Sequence, residues 1–310
     1  MRENGVSEVL GYMYIFGIVM AVLAIVFVQV NTMVEDMKRS VMSQSLEQSF
    51  KRIQYIIHSV SFGEVPSQAV EIEMQGGTLW VDRTNPEFIL AFVNYTEANP
   101  NDLECGDIPN SIAGCINLST GDIYISPSCP ASNYNFSACL LNKTVGKLVF
   151  SYKDWLLTIE AGSIFSKYSS QDYSKLLYEP RILYNTTLTQ GTTFLVMNIP
   201  VVEGNLSLAG TGRFRFFVNE GGSIFSRIYV PGVRYNFSDV YLIIRDTQNG
   251  YAWCKFFENS EGYFNVTLDS SKTQHSSCYY SENPTVTVEN EIFSQRMSEI
   301  IVIFREVVFS

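Results

Sequence analysis

Nothing in this chain favours a polyanionic partner. Its 21 basic side chains are outnumbered by 31 acidic ones, and the basic footprint that DNA or RNA binding requires is missing. Histidine is scarce: His58 and His275 are the only two, too few for a histidine-rich metal site. No HExxH, GxSxG, Walker A or GxGxxG pattern occurs. No two cysteines form CxxC, which removes zinc ribbons, thioredoxin-like redox motifs and c-type haem attachment. Charged residues are only 17% while aromatics reach 14%, the reverse of a disordered composition. Proline and glycine are absent from residue 18 to residue 62.

What is present begins with an apolar run. Residues 9–28, VLGYMYIFGIVMAVLAIVFV, carry no charge. As a helix they span about 30 Å, the thickness of a hydrocarbon core. The run is longer than the apolar region of a secretory signal, and no small-x-small cleavage site follows it. The helical pattern continues beyond it. Val34, Met37, Val41, Leu46, Phe50, Ile53, Ile57 and Val60 recur mostly at steps of three and four, with charged and amide side chains between them. Gly63 and Pro66 supply the stop. The spacing predicts one helix over residues 6–61, on the order of 84 Å long. Its first half is apolar all round and its second half amphipathic.

Past residue 62 the period changes from near four to two. Val70, Ile72 and Met74 alternate with Glu71, Glu73 and Gln75. The same rhythm returns at Phe214–Phe216–Val218, Val240–Leu242–Ile244 and Phe264–Val266–Leu268. These are half-buried strands of an antiparallel sheet. Gly76-Gly77, Gly221-Gly222 and Asn249-Gly250 read as the turns between them. The run IIVIF near residue 300 reads as a further strand. Residues 99–145, rich in Asn, Ser, Pro and Cys, read as a disulfide-pinned insertion. GSIFSK at 162–167 echoes GSIFSR at 222–227, which is too short to establish a repeat. The expected fold is α+β: a long N-terminal helix, then a large antiparallel, sandwich-like β domain over residues 62–310. At 310 residues the chain has room for about two such parts.

The six cysteines, Cys105, Cys115, Cys129, Cys139, Cys254 and Cys278, all follow the apolar run. An even number there reads as disulfides in an oxidising space. Cys254 is expected to pair with Cys278 and the first four among themselves, in an order that spacing does not choose. Eight N-x-S/T sequons start at Asn94, Asn117, Asn135, Asn142, Asn185, Asn205, Asn236 and Asn265. That is roughly twice the chance number for this content of Asn, Ser and Thr, and all lie beyond residue 90. N-linked glycans are expected on an outer domain, with no other cofactor or metal. Loop charge barely orients the chain, since Arg2 is offset by Glu3. Cysteines and sequons place the N-terminus inside and the β domain outside.

The join between residues 1–8 and the apolar run holds one carboxylate, Glu8, which is costly in lipid unless paired. A cut after Gly5 would create a new α-amine on Val6, able to pair with Glu8 of a neighbouring chain. Alternatively, Glu8 is an interfacial residue at the end of a single-pass anchor. Here ENG-VSEVLGYMYIFGIVMAVLAIVFVQ resembles the class III signal peptide and first helix of archaeal type IV pilins and their pilin-like relatives, archaellins included. The likeness is specific over about residues 4–30 and leaves the other 250 or so uncovered. It implies removal of residues 1–5 by a membrane prepilin peptidase, cutting between Gly5 and Val6. Two differences stand out: Asn4 and Glu3 precede the cut where the family often has Lys or Arg. Glu8 would be the third mature residue, whereas bacterial relatives carry a glutamate fifth.

The resemblance further implies a precursor held in the membrane, then drawn by a pilus assembly ATPase and platform into a helical filament of identical subunits. Leu10, Tyr12, Ile15, Phe16, Ile18, Val19, Val22, Leu23, Ile25 and Val26 would form its core, and the glycosylated β domain its outer sheath at the cell surface. Gly11, Gly17, Ala21 and Ala24 permit close helix contact. Two other readings compete: a surface binding protein anchored permanently by the same helix, and an anchored secreted enzyme. For the last, Asp172, Glu179 and Asp239 are candidate acids, each read more simply as a solvated loop residue. No catalytic residue is assigned.

Overall fold

The computed structural model describes residues 4–94, 105, 111–117, 122–124, 135–180, 193–229, 239–258, 265–268, 286–289 and 297–310. The chain forms two compact units, Met1–Gln48 and Ser49–Ser310. Helix α1 runs unbroken over Asn4–Ser61. It stops where the sequence signals a stop. Gly63 sits at φ 71°, its N–H donates to the Val60 carbonyl, and the N–H of Glu64 donates to that of Ser59, both at 3.0 Å. This is a Schellman cap, which satisfies the orphan carbonyls of the last turn and favours glycine at the left-handed position.

In the second unit, the end of α1 lies on a β sheet. Phe50, Ile53, Ile57 and Val60 are buried on its inner stripe, and the Phe50 ring meets Phe150 edge-on at 6.4 Å. Side-chain amides fix the contact. Gln54 donates to the Gly162 carbonyl at 2.7 Å, and Asn198 donates to the Ser61 carbonyl at 3.2 Å.

That first sheet has eight strands: β1 (Ser67–Asp82), β6 (Lys147–Tyr152), β7 (Trp155–Glu160), β8 (Ser163–Tyr168), β9 (Lys175–Tyr178), β10 (Thr193–Gly204), β11 (Ser207–Tyr229) and β15 (Met297–Phe309). Their order is β10-β15-β11-β1-β6-β7-β8-β9. The second sheet contains β2 (Glu87–Asn94), β3 (Ile112–Asn117), β4 (Asp122–Tyr124), β5 (Asn135–Thr144), β12 (Asp239–Arg245), β13 (Asn265–Leu268) and β14 (Val286–Glu289). Its order is β13-β14-β12-β2-β5-β3-β4. A nine-residue helix, α2 (Gly250–Glu258), follows β12. The core between the sheets joins Phe88, Leu90, Phe92, Leu242 and Ile244 from the second to Phe165, Ile199, Val201, Val302 and Phe304 from the first. The β domain is therefore layered helix, sheet, sheet, and each sheet is buried on at least part of both faces.

The expected α+β class and the antiparallel, β-rich character hold. Among the described strands one pair departs: β10 runs parallel to β15. Three expected turns are something else. Gly76-Gly77 and Gly221-Gly222 lie inside β1 and β11, where the register shifts between Gln75 and Thr78 and between Glu220 and Ser223. They are bulges, which bend a long strand without ending it. Asn249-Gly250 opens α2, with the Trp253 N–H donating to the Asn249 carbonyl at 3.0 Å. Within 99–145, which reads as an insertion by composition, residues 112–117, 122–124 and 135–144 form three strands of the second sheet, and β5 pairs with β2 along eight residues.

Candidate functional site

The first unit presents an uncovered apolar helix surface. Leu10, Tyr12, Ile15, Phe16, Ile18, Val19, Val22, Leu23, Ile25 and Val26 are between 47 and 70% exposed. In the most apolar eighteen-residue window of the helix, nothing is buried. A Cβ built on Gly11 or Gly17 would meet nothing within 4 Å. Fully burying one large apolar side chain yields about 1.5–3 kcal/mol. Ten of them together exceed the entire net stability of an ordinary domain, about 5–15 kcal/mol. Covering this surface would be strongly favourable. The helix is long and apolar enough to cross a membrane, which fits membrane anchoring.

The apolar surface does not end where a bilayer would. Val30, Met33, Met37 and Val41 are 50, 66, 62 and 63% exposed. Their spacing of three and four residues places them in one stripe. Glu35, Asp36, Lys38 and Arg39 are exposed between them. From Leu10 to Val41 the exposed apolar residues cover about 46 Å of helix, against about 30 Å of hydrocarbon.

The second unit contains a sealed polar site. Glu160 ends β7 and is completely buried. It precedes a two-residue hairpin turn in which Ala161 and Gly162 both have positive φ, 48° and 78°, the backbone that a tight hairpin demands. Three side chains from the β12–α2 segment donate to its carboxyl. Trp253 Nε1 reaches Oε1 at 2.6 Å. Thr247 Oγ1 lies 2.8 Å from Oε1 and 3.0 Å from Oε2. Asn249 Nδ2 reaches Oε2 at 2.8 Å. The Trp253 indole is itself packed by Phe165 at 5.3 Å, Phe88 at 5.7 Å and Phe257 at 5.9 Å. Burial among these rings raises the Glu160 carboxyl above its ordinary range, more than the three donors and the charge of Lys147 lower it. Sealed from solvent, this carboxyl ties α2 to the first sheet. Among the described residues, no group of three or more His, Cys, Asp or Glu side chains could hold a metal ion.

The model of a family described as a family of unknown function, DUF7289, matches residues 4–292 of the chain. The chain belongs to the DUF7289 family. A protein of Archaeoglobus fulgidus, described as an uncharacterized protein, is 66% identical over 309 residues, which is 99% of each chain. No solved structure matches. Neither description names an activity or a partner.

In this DUF7289 chain, Gly5, Val6 and Glu8 fall in the first turns of α1, and their side chains lie outside the described residues. Cys105 is bonded to Cys139, with Cα atoms 5.5 Å apart. Cys115 and Cys254 are also disulfide-bonded, while Cys129 and Cys278 lie outside the described residues. Of the sequons, Asn142 on β5 and Asn205 between β10 and β11 are exposed, and Asn117 is half-buried. Asn94, Asn135 and Asn265 lie on strands, but their side chains are outside the described residues, as are Asn185 and Asn236 entirely. Asp172 and Glu179 are exposed, and the side chain of Asp239 lies outside the described residues. Glu160 is the acid that sequence reading passed over, because its donors are 87, 89 and 93 residues away.

Proposed function

We propose that this chain is a pilin-like subunit that polymerises through α1 into a surface filament of identical copies. The observation that supports this most is the length of the exposed apolar surface. Residues 10–28 alone would suit a permanent anchor. The stripe Val30, Met33, Met37 and Val41 lies among charged residues that lipid rejects, yet it is as exposed as the membrane-length run. Side-by-side helices of other copies cover both parts at once: the apolar half by packing on every face, the amphipathic half by packing stripe to stripe. Copies joined by such non-closing contacts give a helical fibre. The resemblance of residues 4–30 to archaeal pilins supports the same reading, and the 66% identical relative comes from an archaeon. The β domain then forms the outer sheath, and cleavage before Val6 frees the first turn for packing.

The test is direct. Surface filaments are sheared from cells that make the protein, imaged, and digested to identify the first peptide by mass spectrometry. Filaments built of this chain and beginning at Val6 are expected. The chain recovered only in the membrane fraction, with residues 1–5 retained, would overturn the proposal in favour of a permanently anchored surface protein.

A further inference from the structure

The chain crosses between its two sheets at residues 83–86, from β1 to β2, and again at residues 145–146, from β5 to β6. The two crossings touch: the Val145 N–H donates to the Pro86 carbonyl at 2.8 Å. A lysine is buried at this corner. Lys147, the first residue of β6, is 7% exposed. Asp82 and Glu160 are its cross-strand partners on either side, so three side chains stand in a row on one sheet face. Buried lysines are rare unless an acid takes the charge. Here the nearer group is not the acid. Lys147 Nζ lies 2.5 Å from Oδ1 of Asn85 and 3.5 Å from Oδ2 of Asp82. A carbonyl bond is about 1.2 Å, so the Asn85 amide carbon is at most about 3.7 Å from Nζ. That is close to the separation, about 3–3.5 Å, from which an aligned nucleophile attacks.

From this geometry we infer that Lys147 and Asn85 form an intramolecular amide bond, with Asp82 as the proton carrier. Asp82 is placed for the role. Its Oδ1 is held by the Thr84 N–H at 3.0 Å and the Thr84 hydroxyl at 2.6 Å, leaving Oδ2 toward the lysine. Burial alone would raise its carboxyl, but the Thr84 hydrogen bonds and Lys147 outweigh this and hold it below its ordinary range. It is therefore ionised at neutral pH, and its Oδ2, which faces the lysine, is the one carboxylate oxygen placed to receive a proton in passing. The lysine ammonium gives one proton to Asp82, and the freed amine attacks the Asn85 amide carbon. A carbon–nitrogen bond to Nζ forms, and the bond to the amide nitrogen breaks. Nζ loses two of its three protons in all, relayed by Asp82, and the departing nitrogen carries them off as ammonium. One positive charge enters and one leaves, no electrons are transferred, and no co-reactant is needed. The product closes a covalent bridge at the point where the chain passes twice between the sheets.

The test uses the full chain, produced recombinantly, denatured, reduced and digested with trypsin and a glutamate-specific protease. The expected product is a branched peptide joining residues 84–87 to 144–153, lighter by one ammonia than its two linear parts, with no tryptic cut at Lys147. It disappears in Lys147→Arg and in Asn85→Ala. A linear 84–87 peptide with asparagine intact, together with cleavage after Lys147, would overturn the inference without any variant having to fold. Asp82→Asn is expected to abolish the branch while both reacting residues remain; a branch that still forms removes Asp82 from the chemistry.

Discussion

The indole N–H of Trp253 donates to the carboxyl of Glu160 at 2.6 Å, joining a helix that follows one sheet to the end of a strand in the other. Glu160→Ala strands three buried donors at once. The expected loss is about 3–5 kcal/mol of unfolding free energy, since each buried donor left unpaired costs about 1–3 kcal/mol. Glu160→Gln keeps the shape but turns one donor against another, at a cost of about 1–3 kcal/mol. Urea titration of the full chain in detergent checks both.

The same residue sets a pH dependence with a definite sign. Its carboxyl is raised in the folded state above its ordinary value of 4.5, chiefly by burial. The folded state therefore holds the proton more tightly than the unfolded one. Stability from this group is fully present below 4.5 and is lost as pH rises through the folded value. Melting curves of the native protein and Glu160→Gln, compared from pH 4.5 to 8, should diverge in favour of the native protein toward the acid end. Curves that stay parallel would remove Glu160 as the cause.

Exposure differs sharply along α1. Phe50 is fully buried against the first sheet, and Phe50→Ala is expected to cost about 3–5 kcal/mol in the β domain. Val22 is 53% exposed, and Val22→Ala should change unfolding by under about 0.5 kcal/mol. Chemical denaturation distinguishes the two.

If the stripe beyond the membrane-length run packs on other copies, charge there should stop assembly and leave the fold alone. Met37→Glu and Val41→Glu are expected to yield soluble-domain circular dichroism and membrane insertion like the parent's, with filaments lost. Normal filaments from both variants would show that the stripe faces outward.

The Cys105–Cys139 bridge closes a loop of 34 residues. On loop-closure grounds, replacing both with serine removes about 4 kcal/mol. The midpoint of guanidinium unfolding, with the other cysteines left oxidised, reads this out.

How much of this was legible in the sequence depends on where water lies. β1 shows its rhythm because Glu71, Glu73 and Gln75 face solvent while Val70, Ile72 and Met74 do not. β6 gives no such signal: residues 147–150 are all buried, so both faces demand apolar or paired side chains and the alternation vanishes. α2 was hidden differently. It is nine residues long, rich in aromatics that are indifferent helix formers, and it opens with an Asn-Gly pair that mimics a hairpin turn. The glycine pairs misled because a bulge and a turn use the same backbone freedom, and only the partner strand reveals which one is meant. The apolar helix was legible throughout, since its signal is composition over twenty residues. Glu160 and the Lys147 corner were not, because each is assembled from segments that meet only when both sheets exist.

β15 is the latest of the described strands in sequence, yet it lies between β10 and β11 inside the first sheet. Synthesis delivers it after every neighbour it must join. Until it arrives, β10 has no partner on that side and the long arm of β11 is an open edge, inviting pairing with another chain. The domain is thus held in an unfinished state for as long as its tail is still in transit. That gap must stay shielded until β15 is in place, and a chain in which it is not would be prone to join other copies through the wrong surface.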